Sequence, residues 1–205
     1  MDSKQLSFWI IVPILLIGSL FLARFNTLDI VSKENYQEFG FDERPMPKSL
    51  SNFSLLNQEG EKVDANSLIG QQSLIFFGFT FCPDVCPTTL SILNMAIAKL
   101  KNPPRVILIS VDPERDTVPL LKDYVKSFNP NFEAFTGHID EINNIANQLE
   151  AGFRKVPGDS ESDWTVDHTG NIVVINAKGE FQGLIRPPHQ VEAIATLLEI
   201  MEREA

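Results

Sequence analysis

The chain has 205 residues, enough for one ordinary domain and an appendage. Hydrophobic residues make up 43% of it and charged residues 21%, the balance of a folded chain and not of a disordered one. Its formal net charge of −10 would repel a phosphate backbone, which argues against nucleic acid as a partner.

The first element is an uncharged run of 18 residues, 6–23. As a helix it reaches about 27 Å, close to the roughly 30 Å hydrocarbon core of a bilayer. A cleaved signal peptide would have an apolar stretch of only about 7–15 residues, closed by small residues. Phe21, Leu22, Arg24 and Phe25 stand there instead. The expectation is one N-terminal transmembrane helix, with residues 1–25 as an uncleaved anchor. Lys4 and Arg24 nearly balance across it, and the N-terminus is assigned to the cytoplasm with the domain exported. An Arg-rich amphipathic leader is missing, so a bacterial inner membrane with the domain facing the periplasm is expected. Residues 26–49 show no sustained period, and Pro45 and Pro47 disfavour helix. They read as an extended tether.

Residues 50–205 alternate between strand and helix. Short strands are expected at 52–56 and around 62–64, on either side of a Glu59-Gly60 turn. Residues 73–79 are a continuous apolar run of strand length, as in a central strand covered on both faces. Residues 87–100 carry Leu90, Leu93, Ile97 and Leu100 at helical spacing. A second buried strand at 105–111 precedes helices at Val118–Phe128 and 139–149. A hairpin, 171–176 and 181–185, turns at Gly179, and a helix at 190–201 closes the chain. This order predicts an α/β domain with a parallel central pair and an antiparallel edge, the thioredoxin-like arrangement.

The only two cysteines lie in Phe81-Cys82-Pro83-Asp84-Val85-Cys86-Pro87. Each precedes a proline, which disfavours the α conformation at the cysteine, so the predicted path is strand, loop, then a helix opened by Pro87. Cys86 would then sit at a helix N-terminus, where the macrodipole favours thiolate. Thiolates bind soft metals and attack disulfides. A structural disulfide would close too short a loop to add much stability, and two inert buried cysteines would have poor core neighbours in Pro83, Asp84 and Pro87.

The segment 78–87 (GFTFCPDVCP), the segment 110–117 (SVDPERDT) and Val166-Asp167-His168 together resemble the Sco/SenC family, in the family's order. The resemblance runs from about Leu50 to the C-terminus. It implies a membrane-anchored thioredoxin-fold protein that binds copper, as Cu(I) or Cu(II), through Cys82, Cys86 and His168. It also implies a role in assembling the dinuclear CuA centre of cytochrome c oxidase, whose copper-accepting subunit would be the partner. His168 lies 82 residues beyond Cys86, and only the resemblance pairs them. Asp167 is a candidate to orient the His168 ring, and Asp84 to tune the thiolates or supply an oxygen. His138 and His189 read as surface residues. In 110–117, Asp116 or Thr117 is expected to cap the following helix, with a loop beside the cysteines as the other reading. The polar stretch 158–163 reads as a mobile loop that lets His168 swing.

Two functions compete: a copper-binding assembly factor that is not an enzyme, and a thiol–disulfide oxidoreductase acting on cysteines of a copper-accepting partner. Both use Cys82 and Cys86, and only the first needs His168. A peroxiredoxin-type peroxidase is disfavoured, because Thr80 lies two residues before Cys82 and not three, and position 75 is Ile75. Three ligands leave a structural zinc tetrahedron open.

Overall fold

A computed structural model of the chain describes residues 36–160 and 163–204. The predicted membrane span at 6–23 lies outside them. Among the described residues no helix is long and apolar enough to cross a membrane.

In chain order the elements are β1 (Phe41–Ser49), β2 (Leu55–Asn57), β3 (Lys62–Val63), a 3-10 turn (Ala65–Leu68), β4 (Ser73–Gly78), α1 (Val85–Ile97), β5 (Arg105–Ser110), α2 (Val118–Phe128), β6 (Glu133–Thr136), α3 (Ile139–Gln148), β7 (Phe153–Pro157), β8 (Trp164–His168), β9 (Ile172–Ile175), β10 (Glu180–Ile185) and α4 (Val191–Glu204). They build a thioredoxin-like α/β domain. One sheet has the order β1-β10-β9-β4-β5-β6-β2-β3, and β7 pairs only with β8 in a second, two-stranded sheet. β4, β5 and β6 run parallel, while β9, β10 and β1 continue one side antiparallel.

β4 is the centre. All six of its residues are buried, which is why its sequence is apolar without alternation. β5 beside it is buried from its second residue onward. Arg105 opens β5 and clasps Glu133, which opens β6, through Nε to Oε1 at 2.7 Å and Nη2 to Oε2 at 2.8 Å. That paired fork fixes where the short β6 begins. The sequence pattern leaves β6 unassigned, since four residues after Asn129-Pro130-Asn131 give no readable period. Its placement comes from pairing with β5.

Residues 41–49 depart from the expected tether: they form an edge strand on β10. Phe41 to Glu43 pair with Ile185 to Gly183, the register then shifts, and pairing resumes at Lys48 and Ser49. Pro45 and Pro47 fall inside that irregularity, where no ladder donor is required of them. Phe41 anchors the strand. A Cβ on Gly183 would meet the Phe41 ring at 2.6 Å, so glycine is what lets that ring lie flat on the edge.

Candidate metal centre

At the C-terminal end of β4 the chain passes through 79–84 and enters α1. The Cys82 N–H donates to the Phe79 carbonyl at 3.3 Å, which folds the loop back on the strand. The Cys86 N–H donates to Cys82 Sγ at 3.4 Å, so a free amide of the helix start faces the first sulfur. The helix begins at Val85, two residues before the position expected from Pro87. Pro87 is tolerated there because amides of a first helical turn lack intrahelical acceptors.

Cys82 is half-buried, Cys86 is 0% exposed, and both are free thiols. At Cys86 burial opposes the expected helix-terminal lowering. Burial pushes its thiol well above the usual thiol range, and the neighbouring Cys82 adds to the rise. The fit around this sulfur is tight. A Cβ on Gly78 would come within 2.9 Å of Cys86 Sγ, 3.1 Å of Phe76 and 3.2 Å of Leu108.

The loop 111–117, following β5, lies beside the cysteine loop. Asp116 is 1% exposed and accepts from the Thr80 N–H at 3.1 Å, the Thr80 hydroxyl at 2.5 Å and the Ser110 hydroxyl at 2.7 Å. Burial raises its carboxyl above the ordinary range, against those three donors. Asp116 therefore ties two loops together and does not cap α2. Thr117 holds the cap position without a side-chain hydrogen bond. Asp112 accepts from Arg115 Nε at 2.5 Å and from the Trp164 indole N–H at 3.3 Å.

His168 closes β8, opposite Phe153 of β7. This hairpin is hard to read in the sequence because β7 carries no alternation and β8, which does alternate, is only five residues long, with Val166 its one buried residue. His168 Nδ1 lies 3.1 Å from the Thr169 carbonyl. A carbonyl only accepts, so Nδ1 carries the proton and Nε2 keeps its lone pair. Nε2 is 3.5 Å from Cys86 Sγ. The ring stands edge-on to Phe76 and Phe79, with centroids 5.8 and 5.9 Å away. Burial lowers its pKa, which keeps it neutral and available as a donor.

Cys82 Sγ, Cys86 Sγ and a His168 ring nitrogen lie within 4.8 Å of one another. Two thiolates and a neutral imidazole are a soft donor set, suited to copper. Other candidates fall away from this point. Asp167 is exposed and pairs with Arg154 at 3.2 Å, so the Thr169 carbonyl orients the histidine ring in its place. Asp84 is exposed and reaches only the Thr88 hydroxyl, at 3.4 Å. His138 caps α3 by accepting from the Asp140 N–H, at the surface as expected. His189 departs from that expectation: it is half-buried, with Nε2 2.7 Å from the Gly170 carbonyl, and burial lowers its pKa. Of 158–163, residues 161 and 162 lie outside the described part, and the swing of His168 with it. Arg115 and Trp164, which join the cysteine loop and the β7–β8 hairpin, were missed by sequence reasoning. Arg115 stood in plain view within the 110–117 motif.

Comparison with known proteins agrees with this geometry. Residues 42–202 match the SCO1/SenC family. "Protein SCO1 homolog 1, mitochondrial" of Arabidopsis thaliana is 36% identical over 146 residues, which are 69% of this chain and 43% of that protein. The chain thus spans less than half the length of that relative. Among solved structures, Arabidopsis thaliana ScoI with copper bound is similar at a TM-score of 0.70 and 32% identity, covering 76% of this chain and 99% of that one. Bradyrhizobium japonicum ScoI with copper bound gives 0.65 and 37%, covering 74% and 97%.

Proposed function

From the chain's membership of the SCO1/SenC family, we propose that it is a copper carrier that assists assembly of the CuA site of cytochrome c oxidase. Cys82, Cys86 and His168 hold the ion, and the copper-accepting oxidase subunit receives it. The convergence of these three donors within 4.8 Å, with His168 82 positions beyond Cys86, is the observation that carries this reading. The domain works at the periplasmic face of a bacterial inner membrane, held there by the 6–23 run. A full-length chain that stays with membranes through an alkaline wash supports that anchor, and release by the wash counts against it.

The donors divide the work. Cys82, half-buried, is the point of entry. Cys86, protonated and buried beside Nε2, gives up its proton as copper takes its place. The imidazole adds a harder nitrogen donor that favours retention of Cu(II), while Cu(I) is satisfied by the two thiolates.

The alternative is a thiol–disulfide oxidoreductase. It is favoured by the asymmetry of the pair, one accessible sulfur ahead of one buried sulfur, which suits an attacking and a resolving thiol. His168 separates the two readings. A carrier with His168→Ala should lose oxidase activity at limiting copper, with partial rescue by added copper, and replacing both cysteines should give the same defect. A reductase should support normal oxidase without His168 and fail without the cysteines. Normal oxidase in the His168→Ala strain at limiting copper would sink the carrier reading.

A further inference from the structure

Among the described residues the β7–β8 hairpin pairs with no other strand, yet it delivers His168 to within 3.5 Å of the Cys86 sulfur at the start of α1. A lone two-stranded hairpin is marginal in water, so its placement depends on side-chain attachments. Besides the buried Val166, several of these involve one residue. The Arg115 guanidinium carbon lies 4.3 Å from the Trp164 ring centroid and 4.7 Å from that of Phe81, with Phe79 farther off at 5.9 Å. Trp164 opens β8, and Phe81 precedes Cys82. Arg115 Nη1 also donates to the Trp164 carbonyl at 3.0 Å, and Nε to Asp112 at 2.5 Å. Asp112 in turn receives the Trp164 indole N–H. Farther along the hairpin, Lys155 of β7 pairs with Glu114 at 2.7 Å and lies 3.8 Å from the Trp164 centroid.

We propose that Arg115 is the positioning residue for the third copper ligand: held between Phe81 and Trp164, it fastens the hairpin that carries His168 to the loop that carries Cys82. The inference rests on the copper reading of the site. Phe81 stays 57% exposed, and the Arg115 guanidinium 4.7 Å from its centroid gives the ring a cation–aromatic contact. The side chain suits the task because a planar guanidinium stacks with its faces while its edge donates in plane. Lysine can offer the charge but not both contacts. The loop that bears Arg115 is itself fixed to the cysteine loop through Asp116 and Thr80. The path therefore runs from cysteine loop to Asp116, to Arg115, to Trp164, and along four residues of β8 to His168.

The experiment loads the full-length chain, in detergent, with one equivalent of Cu(II) and follows release to excess chelator by loss of the copper–thiolate absorption. Groups that orient a metal-binding histidine change metal affinity by roughly 10- to 100-fold when removed. Arg115→Ala should accelerate release by about that factor, with Arg115→Lys and Trp164→Phe falling between it and the unmodified chain. Because Arg115 acts through His168, adding Arg115→Ala to His168→Ala should change nothing further. A merely structural role would accelerate release in both backgrounds, and that result overturns the proposal. So does an unmodified release rate in Arg115→Ala. Should that variant fail to fold, Arg115→Lys and Trp164→Phe decide, and unmodified rates in both overturn it. Equal release by the unmodified chain and His168→Ala would overturn the copper reading and this inference with it. A difference between those two, with none from Arg115, removes the positioning role alone.

Discussion

Cys86 rises from the first turn of a helix joined by a short loop to β4, a strand paired along its whole length with β5 and over Ser73–Phe76 with β9. His168 ends a hairpin outside that sheet, attached to it by an arginine, an indole and a lysine pair. The sulfur side is packed so closely that one added methyl group at Gly78 would collide with it. The histidine side is held by polar and cation–aromatic contacts, each individually modest, together with the buried Val166. A tightly packed Cys86 faces a histidine that stands on a separate hairpin, so the sulfur and nitrogen donors belong to different parts of the fold.

That contrast orders the expected effects. The largest belongs to the sulfurs: replacing Cys82 and Cys86 with serine should abolish copper binding, measured as metal per chain after desalting, and a Cys82–Cys86 disulfide should do the same until reduced. Tight stoichiometric copper on the oxidised chain would remove the cysteines from the site. Next is His168→Ala. Groups that merely orient a ligand are worth roughly 10- to 100-fold, so losing the ligand itself should weaken Cu(II) retention by more than about 100-fold. Cu(I) should remain more nearly intact. Equal losses for the two oxidation states would break the proposed division between sulfur and nitrogen.

A third expectation probes stiffness. Gly78→Ala forces the Cys86 sulfur, Phe76 or Leu108 to move, and overpacking of this kind costs about 1–3 kcal/mol in urea unfolding. Its copper affinity should fall as well, since the methyl points at a ligand. Wild-type stability would show that the sulfur side yields more easily than its packing suggests.

The smallest effect concerns pH. His168 and His189 have their pKa values lowered by burial, so each takes up its proton less readily in the folded chain than in the unfolded one. The metal-free protein should therefore lose stability as pH falls through the ordinary histidine value, and stop losing it below the lowered folded values. Asp116 has the opposite sign. Its raised carboxyl pKa gives stability that is complete below the ordinary aspartate value and is lost as pH rises through the folded one. Chemical unfolding across the two ranges, with His189→Gln and Asp116→Asn, checks both slopes. A flat profile near neutrality would mean that the two histidines are no harder to charge when folded.

Much of this was readable from residue order. The apolar run 73–79 and the periodic run Val118–Phe128 announce β4 and α2 because a buried strand and a one-faced helix leave different spacings in the chain. The cysteine motif is local, and its chemistry can be argued from thiols, prolines and the helix that follows. β1 was hidden because its prolines read as chain breakers until the β10 ladder skips them. β7 was hidden because it carries no alternation, and β8 because its alternation of Trp164, Val166 and His168 with exposed residues spans only five positions.

The sequence by itself determined the donor types, the order of the main elements and, through a family resemblance, the three residues to watch. Tertiary structure decided the rest: that Asp116 faces inward to Thr80, that Asp167 turns to Arg154, that burial works against a Cys86 thiolate, and that Arg115 bridges a loop and a strand 34 and 49 residues away from it in the chain. The reason is physical. Spacing along a chain fixes which face of its own element a residue occupies, but desolvation and stacking depend on whichever distant segments the fold brings against that face.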